Sequence, residues 1–449
     1  MGDSVGRHST ESAESAESAE GTESAEGTGT ARQGALSRRR MLGVSGAAGL
    51  AVLGAAGCQS DDSGSGGKDA GGNKPGEVGS QSGRGESGKR EEGPRLADAV
   101  LGANFNGDPS KVTFAELEDV SATWLRGFFP MDDADKDSIA GKPQIKMLLD
   151  AKERGLGTSL SLKFQYKGEA IPTPGSEAWK TAFARLDKVL PAVMNKIDIL
   201  VIGNEPFLET REEDRDRRLN KFYEKLARHV IAYRDKHSAT GTRLYMGALN
   251  HIDWEDGKTA ATQRWMDFVK KTKGIDGVDI HPHVSSLAGA QEYIDYVLPR
   301  MRPEQKFLAT EFSLVLYWQE HMADPVAAGF AEKYPETKGM QVWEVLREAT
   351  QERFTQEQWS DFFAMTPWLR KQRNYLREQV EMFRKTERLA LAGYGVSQDE
   401  AMTVEMTAEK KPWMLNSLFC PYTVRDGKDG LPGRNTTWIG QFRELQKKS

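Results

Sequence analysis

Cysteine is almost missing from this chain: there are two in 449 residues, Cys58 and Cys420. With Cys58 claimed by the N-terminal motif described below, Cys420 has no partner, so no disulfide framework supports the fold. An excess of charge of one sign is missing as well. Sixty-one Lys and Arg against 66 Asp and Glu leave a formal net charge of −5. No basic stripe runs along any segment, which excludes nucleic acid as a partner. Long apolar runs are absent too: the Gly/Ala/Val/Leu run from Gly43 to Gly57 is too short and too rich in glycine to span a bilayer.

The first 94 residues lack apolar periodicity. Residues 1 to 36 are near-repeats of Ser, Ala, Glu, Gly and Thr, which cannot bury enough surface to offset the entropy of ordering and read as a disordered tail. Residues 37 to 58 combine Ser37-Arg38-Arg39-Arg40 with the apolar run and Ala55-Ala56-Gly57-Cys58. A basic patch, a short apolar segment and small residues make a signal peptide, and the paired arginines suggest twin-arginine export. The last four residues resemble a bacterial lipobox, in which the cysteine is lipidated; Ala55 stands where a larger aliphatic residue is commoner. This reading makes the protein a lipoprotein with lipid on Cys58, held at the cell surface on the outer face of the bacterial plasma membrane and touching it only through that lipid. Residues 59 to 94 form a flexible tether of Gly, Ser, Asp, Lys and Glu, with an r.m.s. reach of roughly 30 to 36 Å.

Residues 95 to 449 are within the range of a single barrel domain carrying insertions. Apolar runs predict strands at Val100 to Phe105, Ala122 to Phe128, Gly157 to Lys163, Ile197 to Ile202, Arg243 to Ala248, Val278 to His281, Phe307 to Thr310 and Leu389 to Tyr394. Helical patterns fall between them at Pro143 to Arg154, Ser176 to Met194, Arg215 to His237, Ala260 to Lys273 and Ala288 to Met301, with a last helix at Trp438 to Lys448. The alternation argues for a (β/α)8 TIM barrel in the α/β class, with a long helical insertion between strands 7 and 8. That insertion carries Trp318, Trp343, Trp359 and Trp368, and a loop-like stretch from Glu400 to Thr437 carries Trp413, Asn416, Phe419 and Tyr422. Both should sit at the C-terminal mouth, where a tryptophan could stack on a sugar or simply belong to the core.

Two strands end alike. Ile199-Leu200-Val201-Ile202 is apolar on both faces and stops at Gly203-Asn204-Glu205-Pro206, and Phe307-Leu308-Ala309 stops at Thr310-Glu311. Taken singly, each glutamate could be a solvated carboxylate. Together, strand four with Asn204-Glu205 and strand seven with Glu311 resemble the clan A retaining glycoside hydrolases. The resemblance implies Glu205 as acid/base and Glu311 as nucleophile, catalytic without a cofactor or metal, on a carbohydrate substrate, in a monomer. A pair of this kind requires two carboxyl groups ~5 to 5.5 Å apart, one protonated and one ionised. The resemblance also implies that Asn204 contacts a sugar 2-hydroxyl and that Arg126, in Trp124-Leu125-Arg126, keeps the nucleophile ionised. Asp279-Ile280-His281-Pro282-His283 resembles the clan's His-x-Tyr, with His283 standing where tyrosine usually contacts the nucleophile. Lys163 and Gln165 after strand three, Asn250 and His251 after strand five, and Trp413 are further candidates for the sugar site.

Other readings remain at this level. His281 and His283, with Glu205, Glu311 and His251, carry the donor types of a zinc site, although Pro282 breaks the alternation of an extended strand. Asp133-Ala134-Asp135-Lys136-Asp137 lacks the glycine and closing glutamate of a calcium loop. A barrel that binds glycan without cleaving it, or a two-lobed sugar-binding lipoprotein of a transporter, would use the same export signals.

Overall fold

The computed structural model describes residues 96 to 447, apart from 112, 113 and 137. The expected tail, export signal, lipidation site at Cys58 and tether therefore lie outside the described residues.

Eight strands are present: β1 Val100–Asn106, β2 Trp124–Pro130, β3 Gly157–Lys163, β4 Ile199–Ile202, β5 Arg243–Leu249, β6 Gly277–Ile280, β7 Lys306–Ala309 and β8 Leu389–Gln398. Each pairs in parallel with its sequence neighbours, and β8 returns to β1 to close the barrel, from Val100 opposite Leu391 to Asn106 opposite Gln398. This is the (β/α)8 architecture expected from the alternation of apolar runs and helical patterns.

The helices are α1 Phe114–Asp119, α2 Pro143–Glu153, α3 Glu177–Val193, α4 Pro206–Glu209, α5 Arg217–Lys236, α6 Ala260–Lys271, α7 Leu287–Val297, α8 Val315–Glu320, α9 Ala328–Lys333, α10 Val342–Gln351, α11 Gln356–Met365, α12 Pro367–Lys371, α13 Tyr375–Lys385, α14 Glu400–Thr403 and α15 Thr436–Gln446. Their starts follow local chemistry. Ser176, Asp216, Thr259 and Ser286 each accept a backbone N–H at the first turn of α3, α5, α6 and α7, and Pro143 opens α2. Strand bounds differ from the apolar runs where backbone pairing decides. β4 begins at Ile199 because the Ile197 N–H still bonds to Val193 O in the turn leaving α3. β8 runs on past Tyr394 because Ser397 and Gln398 pair with Phe105 and Asn106.

The strands are covered on both faces, which is why they read as unbroken apolar runs. Outside the barrel, one continuous core joins strands to helices; a smaller cluster of Trp124, Ile199, Val201, Tyr245, Leu308, Ala390 and Leu391 packs separately from it. Each buried Leu, Ile or Val contributes about 1.5–3 kcal/mol relative to exposure. Among the described residues no helix is long and apolar enough to cross a membrane.

Between β7 and β8 stand six helices, α8 to α13. Their tryptophans are structural. Trp318 and Trp359 are buried, Trp318 packing on Trp368 and on Trp438 of α15. The half-buried rings of Trp368 and Trp343 are occupied by His321, stacked at 4.7 Å, and by Arg347, 4.7 Å from the ring centre. Trp318 and Trp359 belong to the core, and Trp343 and Trp368 pack against it while partly exposed.

Candidate active site

Seven strands, β1 to β7, deliver the groups that meet here. After β4, Gly203 takes φ +103°, and a Cβ there would lie 2.9 Å from the Pro206 ring and 3.0 Å from Tyr223, so neither backbone nor space admits a side chain. The turn brings Asn204 and Glu205 toward the partners described next, and Pro206 at the first position of α4 sets the chain's exit. After β7, the Thr310 N–H donates to Asp279 Oδ1 at 3.0 Å, which ties the end of β7 to β6 immediately before Glu311.

Buried Arg126 on β2 organises the centre. Its Nη1 donates to Glu311 Oε1 at 2.6 Å and to Asn104 Oδ1 at 3.0 Å; its Nη2 donates to Asn204 Oδ1 at 2.6 Å and to Ser161 Oγ at 3.1 Å. The planar fork of donors on a guanidinium suits it to hold several acceptors at fixed angles. Asn204 is held from its other end by Glu209 Oε1, which its Nδ2 approaches at 2.8 Å. One of the two amide hydrogens expected to meet a sugar hydroxyl is thereby engaged, leaving one for a ligand.

His281 stands between the two glutamates. Its Nδ1 lies 3.0 Å from Glu205 Oε1 and 4.0 Å from Glu311 Oε1, and its Nε2 lies 2.9 Å from Thr310 Oγ1 and 3.5 Å from Asp279 Oδ2. Because one oxygen of each carboxylate approaches the same nitrogen, those two oxygens are at most ~7 Å apart, a spacing compatible with the ~5–5.5 Å between the carboxyl groups of retaining glycosidases. His283 Nε2 lies 3.6 Å from Glu311 Oε2 while its Nδ1 meets Ser313 Oγ at 2.7 Å. The Trp413 and His283 rings meet edge to face with their centres 5.0 Å apart. Asn104, Asn106, Glu311, Trp413 and Asn416 line a recess beside this pair.

The protonation pattern departs from the sequence expectation of a protonated Glu205 beside an ionised Glu311. Burial pushes Glu311 upward, but the charges of His281 and Arg126 hold it well below the usual carboxylate range. Burial also pushes Glu205 upward, and the hydrogen bond and charge of His281 bring it down to about 2. Burial pulls His281 down, but Glu311, Asp279 and Glu205 raise it to about 10. The two carboxyl groups are not driven apart: His281 favours the charged form of both, and the three carboxylates facing this buried ring favour the charged form of the imidazole.

The remaining sequence candidates divide. Asn250 Nδ2 donates to Glu205 Oε1 at 2.8 Å. Lys163 turns to Glu209 Oε1 at 3.3 Å and over the Phe128 ring at 5.2 Å, so its charge is spent within the protein. Gln165 is exposed, and the His251 ring stacks on Trp254 at 4.3 Å. The run Asp133 to Asp135 is engaged in part by Arg185, which binds Asp135. Glu205, His281 and His283 offer donor atoms within 4.8 Å of one another, a set that suits zinc in type. An ion there would have to displace the proton that His281 shares with Glu205. Sequence reasoning missed Asn104, Ser161 and Glu209, and met Asp279 only as a neighbour of His281. Glu209 alone carried a signal, its place one helical turn after Glu205.

No protein-family model and no curated protein matches the sequence. Solved structures do resemble it. One is a Bacteroides uniformis beta-glucuronidase 2 covalently bound to cyclophellitol-6-carboxylate aziridine, at 12% identity and TM-score 0.41, over 74% of this chain and 34% of that one. Others are a GH113 beta-1,4-mannanase, at 12% identity and TM-score 0.38 over 79% and 98%, and a glycoside hydrolase family 30 subfamily 8 xylanase from Clostridium acetobutylicum, at 9% identity and TM-score 0.39 over 80% and 73%. This chain thus spans about a third of the first of these proteins. At such identities and scores the likeness carries no activity from one protein to another.

Proposed function

We propose that the protein is a retaining glycoside hydrolase acting on an oligosaccharide or polysaccharide, with Glu311 as nucleophile and Glu205 as acid/base. The observation that carries this reading is the approach of both glutamates to one histidine nitrogen, with Arg126 bonded to Glu311 at 2.6 Å. Two carboxylates so close, one held ionised by a guanidinium, meet the need of double displacement.

The steps follow from the charges. Glu311 attacks the anomeric carbon as the bond to the leaving oxygen breaks, and Glu205 delivers a proton to that oxygen. This proton comes from His281, whose charged form the charge of Glu311 favours. Forming the glycosyl ester consumes that charge, so the histidine releases its proton to Glu205 as the leaving oxygen demands one. In the second step Glu205 takes a proton from water, the water oxygen attacks the anomeric carbon, and Glu311 departs. Its returning charge draws the proton back to His281. A two-lobed transporter protein would need a hinge between lobes, for which a single closed barrel has no counterpart.

Mechanism-based 2-deoxy-2-fluoro glycosides trap a retaining nucleophile as an ester, read by intact and peptide mass. A single adduct on Glu311, absent in Glu311→Gln, is the expected result. Glycan binding without adduct or hydrolysis would favour the non-catalytic barrel, and activity abolished by chelators would favour a metal site at Glu205, His281 and His283.

A further inference from the structure

The loop after β5 has a construction that the two-glutamate chemistry does not require. It begins at Asn250, bonded to Glu205, and continues through His251, whose φ of +54° is unusual for a residue with a side chain. The Trp254 N–H donates to His251 O at 3.1 Å and the Gly257 N–H to Trp254 O at 3.1 Å. A Cβ on Gly257 would sit 1.9 Å from His251 O, so only glycine lets the loop close this tightly. The result is a preformed turn that stacks Trp254 on the His251 ring at 4.3 Å and 33°.

Trp254 is 36% exposed; among the described residues the only other exposed large apolar side chain is Leu96. Every other tryptophan described is buried or half-buried. A rigid indole held open to water at an active-site rim is a surface for a ligand's apolar face. Its attachment through Asn250 puts it on the side of Glu205, the group that faces the leaving oxygen.

A cation accompanies it. Lys411, half-buried in the stretch after β8, is near enough to Glu205 and His251 for its charge to act on both. Its carbonyl accepts the Trp413 N–H at 3.0 Å, which ties it to the ring packed on His283. Among the described residues its ammonium has no hydrogen bond and no carboxylate within 4.0 Å, and the nearby charge of Lys167 is of the same sign. Glu205 is the anion whose charge reaches it, and no direct ion pair is made; a half-buried ammonium so placed is costly, and a ligand anion in contact with it would reduce that cost. Burial accordingly pulls Lys411 below the usual lysine range.

We propose that Trp254, His251 and Lys411 form a leaving-group subsite for a sugar bearing an anionic group, so that the substrate is an acidic glycan with a sugar on each side of the bond cut. This rests on the glycosidase reading. A carboxylate and a sulfate both supply the anion, and the test separates them.

Isothermal titration calorimetry on the full chain would compare hyaluronan and oligogalacturonate hexasaccharides, which carry carboxylates, and a κ-carrageenan hexasaccharide, which carries sulfates, with neutral cellohexaose and xylohexaose. At least one acidic oligomer should bind ten-fold or more tightly than either neutral one. Trp254→Ala and Lys411→Met should each weaken that binding ten-fold or more, with Trp254→Tyr restoring part of it and melting temperatures unchanged. Lys411→Met should also abolish the preference for the acidic oligomer. Equal binding of acidic and neutral oligomers, no binding by any, or wild-type affinity in Trp254→Ala and Lys411→Met would each overturn the subsite. The parent reading is tested apart from it: labelling of wild-type Glu311 by 2-fluoro glycosyl fluorides, whose leaving group needs no such subsite, upholds the glycosidase even if the subsite fails, whereas no labelling by any sugar removes both.

Discussion

Replacing Arg126 by methionine should destabilise the protein by an amount set chiefly by the charge left behind. Arg126 is 1% exposed and the Glu311 side chain 16%, so the pair is largely withdrawn from water. Truncating the guanidinium leaves Glu311 ionised without its nearest cation and removes donors from Asn104, Asn204 and Ser161. Breaking a buried pair from one side costs about 3–5 kcal/mol, most of it the orphaned charge rather than the worth of the contact. His281, 4.0 Å from the same carboxylate oxygen, offsets part of this and places the expected loss near 3 kcal/mol. Removing the orphan should recover much of it. In Arg126→Met with Glu311→Gln, the neutral amide no longer needs a cation, so the double variant should be more stable than the sum of the single losses by about 1.5 kcal/mol or more. Urea unfolding followed by tryptophan fluorescence at pH 7 measures all four corners of the cycle. Additivity within about 0.5 kcal/mol would refute the claim that Arg126 is present for the charge of Glu311.

Two further outcomes follow from the same chemistry and from the N-terminal segment. With Glu205 lowered to about 2 and Glu311 lowered well below its ordinary range, their contribution to stability is complete above the unfolded carboxylate range and is lost as pH falls through the folded values; that of His281, raised to about 10, is complete below the unfolded histidine value and is lost as pH rises through about 10. The basic limb of kcat/KM should therefore lie near 10 and move to lower pH in His281→Gln; an unmoved limb would show that the proton is not stored on this ring. We propose that Cys58 carries lipid, which predicts palmitate labelling of the expressed chain that is lost in Cys58→Ser; equal labelling of both would remove the anchor.

Much of the architecture is legible in the sequence. Strands buried on both faces must be apolar at every position, so Ile199 to Ile202 and Phe307 to Ala309 announce themselves, and the helices between them carry their own caps at Ser176, Asp216, Thr259 and Ser286. The abrupt change from apolar to polar at Asn204-Glu205 and Thr310-Glu311 marked the mouth of a parallel barrel, because such folds expose their strand ends on one rim. These are local signals, written within a few residues of where they act.

What the chain order could not disclose is what depends on closure. Arg126 on β2 and Glu311 at the end of β7, 185 positions apart, touch only because β8 returns to β1. The proton's place on His281 is decided by three carboxylates at different points of the chain meeting one buried ring, which no reading of Glu205 and Glu311 alone supplies. Trp254 and Lys411, 157 positions apart in sequence, likewise acquire meaning only beside Glu205. Periodicity and end chemistry determine which segments become strands and helices, since those choices are settled by neighbours along the chain; distance and solvation determine charge and contact, and these exist only after the barrel has closed.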